Sequence, residues 1–247
     1  MTRFIILAIA CLPALAFADS SIEPKLNAAL AASTRPAEDV ARDANRLPLQ
    51  TLEFFGLRDD MRVLELFPGG GWYTRVLAPV LADNGKLYVA LGTGTISKNV
   101  LPDPGFDKVE VLATKDNLRR PPGSNNYVLD DVDFGVSDLD MVVTFRNLHN
   151  FNAENRAKVN AAVLAALKSG GLYGVVDHTR RHMEPSNPEN RRRVDPVMVI
   201  KELLDQGFEF VDFSDLHFRA DDELEYEVGR HTVTGNTDRF TFLFRKP

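Results

Sequence analysis

Apolar residues in this chain fall into short blocks separated by stretches of helical period. Residues 63–67, Val-Leu-Glu-Leu-Phe, make an apolar run of strand length; Pro68 to Gly71 cannot continue it, and 72–82 then reads as a helix. Runs at 86–91, 109–113, 139–145, 172–176, 208–213 and 239–245 predict six further strands. Between them, 152–168 places Ala157, Ala161, Leu164 and Leu167 on one face and stops at Lys168-Ser-Gly-Gly171, while 196–206 is ended by Gly207. Strands alternating with helices predict an α/β fold with a doubly wound, largely parallel sheet. Two aperiodic stretches, 92–108 and 117–138, leave the C-terminal ends of strands, where open α/β sheets bind ligands.

Ahead of the first strand, 20–33 predicts a short helix, and Pro36 opens a second with Val40, Ala44 and Leu47 at helical spacing. Arg42, Asp43, Asn45 and Arg46 between them fit a solvated face, with lining of the site as the alternative. Pro48 interrupts the pattern, and 49–55 resumes it up to Gly56. At the start, Arg3, the apolar stretch 4–15 and Ala16-Phe17-Ala18 have the form of a secretory signal cleaved after Ala18, too short to span a bilayer. The expected organisation is a signal peptide at 1–18, a helical lead-in at 19–56 and one domain at 57–247. The expected location is periplasmic or secreted, without a stable membrane anchor after cleavage. Cys11, the single cysteine, lies inside the signal, so neither a disulfide nor a thiolate metal site is expected. A net charge of −6 gives no reason to expect a nucleic-acid partner.

Two stretches carry candidate chemistry. The glycines at 69, 70 and 71 remove every Cβ from the turn after the first strand, and the N–H groups of the following helix attract polar or anionic groups. Gly69-x-Gly71-x-x-Thr74 lacks the third glycine of the dinucleotide fingerprint, which disfavours a nicotinamide oxidoreductase. A tight turn without a ligand is the plainer alternative. The second stretch, Thr144-Phe-Arg-Asn-Leu-His-Asn150, places Arg146, Asn147, His149 and Asn150 at the crevice, and Asp177-His178 ends the fifth strand on the same rim. Arg180-Arg181-His182 and Arg191-Arg192-Arg193 could hold an anionic acceptor or form a loop of Arg–Glu pairs. His217 and His231 have no partners at metal-ligand spacing, so no metal site is expected.

Glu65 followed by Gly69, Gly70 and Gly71 resembles motif I of the class I S-adenosylmethionine-dependent methyltransferases, with Phe67 standing where that family has its first glycine. Residues 144–150 and 167–178 resemble the blocks after the fourth strand and at the fifth strand. Pro68 to Thr74, Phe145 to Asn150 and Thr237-Asp-Arg-Phe240 are similar to the pattern of predicted periplasmic methyltransferases. The resemblance runs from about Arg35 to the C-terminus. It implies a Rossmann-like seven-stranded sheet, mostly parallel with an antiparallel edge strand, and S-adenosylmethionine as cofactor. It further implies that Glu65, Pro68, Gly69, Gly70, Gly71, Tyr73, Thr74, Arg146 and Asn147 surround the cofactor, with Asp116 and Asn117 at the position that binds adenine. The second strand, ending at Leu91-Gly92, lacks the acidic residue that grips the ribose. Methyl transfer depends chiefly on alignment. Where the acceptor must lose a proton, His149 is the candidate base, a purely structural histidine being the alternative. His149, Asn150, His178 and Arg180 are the candidate contacts for a small organic acceptor. The rival expectation is a catalytically degenerate exported binding protein of the same fold, suggested by the missing ribose acid, by Phe67 and by export away from the cytoplasmic supply of cofactor. An enzyme predicts a cavity joining the glycines to His149; the degenerate protein predicts Phe67 or Trp72 filling the cofactor space.

Overall fold

The computed structural model describes residues 21–114 and 117–247. The expected signal segment and Asp116 lie outside the described residues. Four short helices, α1 (Glu23–Leu30), α2 (Ala37–Val40), α3 (Asp43–Arg46) and α4 (Pro48–Phe54), precede β1 (Arg62–Leu66). The helical pattern that opens at Pro36 is thus divided. Leu47 turns left-handed between α3 and α4 (φ 42°), and Pro48 follows in the first turn of α4, where its missing N–H leaves no bond unmade.

From β1 the chain runs through α5 (Thr74–Leu81), β2 (Lys86–Ala90), α6 (Gly94–Asn99), β3 (Glu110–Val111) and β4 (Leu139–Phe145). It continues through α7 (Ala153–Ala166), β5 (Leu167–His178), α8 (Pro196–Asp205), β6 (Glu209–Ser214) and β7 (Arg239–Arg245). Asn152 caps α7 by accepting from the Asn155 N–H, and Asp195 caps α8 by accepting from Val197 and Met198. α6 forms inside the stretch expected to be irregular. β5 begins five residues ahead of its expected start, because 168–171 does not end the element: the Gly170 N–H donates to Lys246 O and the Lys246 N–H to Gly171 O, each at 2.9 Å.

The strands form one sheet in the order β3-β2-β1-β4-β5-β7-β6. β1 to β5 pair in parallel, while β7 runs antiparallel between β5 and the outermost strand β6. The chain steps outward from β1 to β2 and β3 and then crosses from β3 to β4 on the other side of β1, and this reversal opens a crevice at the C-terminal ends of β1 and β4. Both faces of the sheet are covered. Leu64 and Leu66 pack with Val159, Val163 and Leu203 of α7 and α8, whereas Val63 packs with Leu26, Leu52, Val76 and Leu77 of α1, α4 and α5. Burial on both faces is why these strands read as continuous apolar runs rather than alternating ones. Gly174 in β5 is needed for the α4 contact: a Cβ there would lie 2.5 Å from the Phe55 ring.

Candidate functional site

The residues directly after β1, β2 and β4 are Phe67 (φ 53°), Leu91 (φ 61°) and Arg146 (φ 64°), all left-handed and none a glycine. Each such residue costs roughly 1–2 kcal/mol, and strain of this kind is kept where a site requires it. Phe67 thus takes a backbone conformation that favours glycine, with its ring 5.3 Å from that of Phe151 between centroids. The Asn147 amide ties two of these strand ends together, donating to Phe145 O at 3.0 Å and to Phe67 O at 3.4 Å.

At the glycine corner lies a cavity of 240 Å³ whose lining includes Glu65, Pro68, Gly69, Gly70, Tyr73, Arg146 and Asn147. A Cβ on Gly70 would meet no atom within 4 Å, and one on Gly69 only the Phe67 carbonyl at 4.0 Å. Gly71 serves a different purpose. With φ 83° and a Cβ position 2.9 Å from Val100, it lets the turn pack closely against the α6 region, and it does not line the cavity. Thr74 is buried behind the corner and donates its hydroxyl to Glu65 Oε2 at 2.6 Å. The Tyr73 ring stacks on Phe145 at 3.4 Å between centroids, with 8° between the planes.

Glu65 is only 2% exposed, and burial pushes its carboxyl up to about 7, offset in part by the Thr74 hydroxyl and by Arg46. The protonated form is thus the one the fold favours. Its contribution to stability is complete below the ordinary value of 4.5 and is lost as pH rises through about 7. Relative to Glu65→Gln, the wild-type protein should lose roughly 3 kcal/mol of unfolding free energy between about pH 4.5 and about pH 8. Urea denaturation across that range checks this, and parallel curves for the two proteins would contradict it.

The N-terminal helices close this cavity from above. Trp72 lines the cavity and donates its Nε1–H to Asp39 O at 2.9 Å, and the Arg46 guanidinium lies 4.4 Å from the centre of its ring. Asp39, Arg42 and Arg46 line the cavity, so the solvated-face reading of this segment gives way to the site-lining one. Arg46 is 6% exposed; burial first, then repulsion from Arg146, bring it down to about 9.

A second cavity, of 560 Å³, contains Arg146, His149, Asn150, His178, Thr237 and Arg239. His149 leaves β4 on a single 3-10 turn, Leu148–Asn150. Its backbone N–H donates to Asp177 Oδ2 at 3.0 Å, and its Nδ1 lies 2.5 Å from Asp177 Oδ1. Asp177 is fully buried at the end of β5, so it fixes the ring with Nδ1–H toward the carboxylate and leaves the Nε2 lone pair free. Beside it, His178 Nδ1 meets the Thr237 hydroxyl at 2.9 Å, and burial, helped by the charges around it, holds His178 well below 6.5 and neutral. Arg180 lines a third cavity, of 460 Å³, together with His149. Arg146 is shared by the first and second cavities and His149 by the second and third, so the three lie in a row. Asn117 belongs to none of them; it turns left-handed (φ 44°) and its amide donates to Asp130 Oδ2 at 2.7 Å.

The Arg191-Arg192-Arg193 cluster follows the pairing alternative, with other acids than Glu184; in the other cluster His182 meets Asp195 and Arg181 donates to Glu223 O, while Arg180 lines the third cavity. Arg193 is bidentate to buried Asp222, while Arg191 and Arg192 share Glu227. His217 is structural, between the Thr241 hydroxyl at 2.7 Å and Arg46 O at 3.0 Å. Arg46 was among the charges with site lining as their alternative; the site residues that sequence reasoning missed are Arg239 and, as support for His178, Thr237. The one signal for the last two was the Thr237-Asp-Arg-Phe240 motif, which the antiparallel register of β7 lays across from Asp177 and His178.

No protein-family model matches the chain, and no curated protein matches it. Among solved structures, an S-adenosylmethionine-dependent methyltransferase from Aquifex aeolicus is 17% identical with a TM-score of 0.57, covering 83% of this chain and 92% of its own. The fold is that of the S-adenosylmethionine-dependent methyltransferases. The glycopeptide N-methyltransferase MtfA, solved with sinefungin, matches at 15% identity and TM-score 0.52 over 83% of this chain and 87% of its own. The [4+2]-cyclase SpnF matches at 17% and 0.56 over 92% of each chain. A cyclase among the matches shows that this fold does not fix the reaction, which has to be argued from the site.

Proposed function

We propose that the protein is an S-adenosylmethionine-dependent methyltransferase of a small organic acceptor, exported to the periplasm or secreted. One observation carries the reading: the open glycine cradle of the first cavity adjoins, through Arg146, a second cavity in which a buried carboxylate holds His149. The residues present fit the cofactor. Gly69 and Gly70 leave room at the corner, and Arg46 and Glu65 line it, the Arg46 guanidinium complementing the carboxylate of an amino acid and the Glu65 carboxyl offering an acceptor to its ammonium. β2 ends at left-handed Leu91 and Gly92 without an acid for the ribose, so binding rests mainly on the methionine end. Phe67 and Trp72 both line the first cavity, the Phe67 ring against Phe151 and the Trp72 indole donating to Asp39 O, and a space of 240 Å³ remains beside the glycines.

When bound, the cofactor supplies an activated methyl on a sulfonium. The chain's own part is to hold the acceptor in line within the second cavity and, at Nε2 of His149, to take a proton from it. Asp177 keeps that nitrogen free by holding the other. The test is release of S-adenosylhomocysteine when the protein is incubated with S-adenosylmethionine and a panel of small acids bearing a phenol, amine or thiol. At least one should be methylated. His149→Ala should then turn over at least about 10²-fold more slowly at unchanged affinity for S-adenosylhomocysteine. A rate within a few-fold of wild type would remove the base role.

A further inference from the structure

Elsewhere in this protein buried arginines are paired. Arg35 meets Asp43, Arg156 meets Glu202 and Arg193 meets Asp222, each through two nitrogen–oxygen contacts between 2.6 and 2.9 Å. Three arginines around the cavities differ, Arg46 and Arg239 buried and Arg146 partly so: none has a carboxylate within ion-pair distance among the described residues. Arg239 is 6% exposed; its Nη1 donates to Asn45 O at 2.9 Å while its Nε is buried without a partner. The Nε of Arg146 is also buried and unpartnered, and the residue accepts a left-handed backbone to reach its place. The nearby acids are committed: Asp177 to His149 and the His178 N–H, Glu65 to Thr74. Burial together with repulsion from Arg146 lowers Arg239 to about 10, still charged at neutral pH. An acidic chain has thus placed the unpaired charges of Arg146 and Arg239 in one cavity, with Arg120 at its rim and Arg191 and Arg192, both paired with Glu227, beside it. Leaving such charge buried without a carboxylate is costly, which an anionic ligand would offset.

We propose that the 560 Å³ cavity is an oxyanion site, in which Arg146 and Arg239 take the carboxylate or phosphate end of a small organic ligand and hold its remainder beside His149. That this ligand is the methyl acceptor rests on the methyl-transfer reading; the site itself does not.

The experiment is thermal unfolding of the full chain in malonate or inorganic phosphate at millimolar concentration, with ionic strength held constant by sodium chloride and no adenosyl compound present. Either anion should raise the melting temperature by about 2 °C or more over the chloride control. A response to malonate alone assigns a carboxylate, and a response to phosphate alone a phosphorylated ligand. Arg146→Asn removes a repelling charge and puts a residue that tolerates the left-handed region at 146. It should abolish the response while raising the melting temperature of the ligand-free protein, whereas a merely structural arginine would lower it. Arg239→Gln should also abolish the response. No shift in wild type, or a full shift retained by Arg146→Asn, would overturn the proposal. An anion response in a protein that fails to bind S-adenosylhomocysteine would leave the oxyanion site standing and remove only the methyl-transfer reading.

Discussion

Gly70→Val is expected to abolish binding of S-adenosylhomocysteine and to leave the melting temperature within about 2 °C of the parent, as a substitution away from packed atoms does. The cause is local. Gly70 has no left-handed φ to protect, lines the cavity, and a Cβ there meets nothing within 4 Å. A branched side chain therefore occupies ligand space and strains no neighbour. Gly71→Val is the instructive contrast. Its φ of 83° and the 2.9 Å approach to Val100 predict loss of stability, so failed binding in that variant would carry no information about the ligand. Calorimetry and thermal unfolding on Gly70→Val read both halves of the prediction, and unchanged binding would exclude this corner as the cofactor site.

Asp222→Ala should produce a large loss of stability, about 3–5 kcal/mol, because it leaves the Arg193 guanidinium buried without its counter-charge. Arg193 is 2% exposed; Asp222 receives its Nη1 at 2.8 Å and Nη2 at 2.9 Å, and also the backbone N–H groups of Leu224 and Asp238. One carboxylate thus ties the chain after β5 to the segment that leads into β7. Asp238 lies between Thr237 and Arg239, so the same loss should loosen the support of His178 and the cationic wall of the second cavity. For comparison, Arg245→Ala, which removes a pair half exposed on both sides, should cost less than about 1 kcal/mol. Chemical denaturation of the two variants measures the difference; similar midpoints would contradict the strong dependence of stability on buried pairing.

Where one segment of chain settles its own structure, the sequence was readable. β4 and β7 occur with the expected bounds because Val142-Val-Thr-Phe145 and Phe240-Thr-Phe-Leu-Phe244 are runs that suit only a buried strand. The glycine corner and the polar strand end at 146–150 were legible for a related reason, since no core position accounts for those residue types. Distant pairing was not legible. The extra length of β5 depends on Lys246, nearly eighty residues away, and α6 lay between glycines that suggested a loop. The charges at 42–46 have the spacing of a surface helix, and only the position of Trp72 against α2 shows that Arg46 is buried. The cationic cluster joins residues 46, 146 and 239, so no window of sequence contains it.

Methyl transfer requires the glycine corner to hold an adenosyl cofactor, and calorimetric titration of the full chain with S-adenosylhomocysteine tests that most directly. The prediction is saturable heat with micromolar affinity in the wild-type protein and none in Gly70→Val. No heat and no thermal shift in the wild type at millimolar S-adenosylhomocysteine would contradict it.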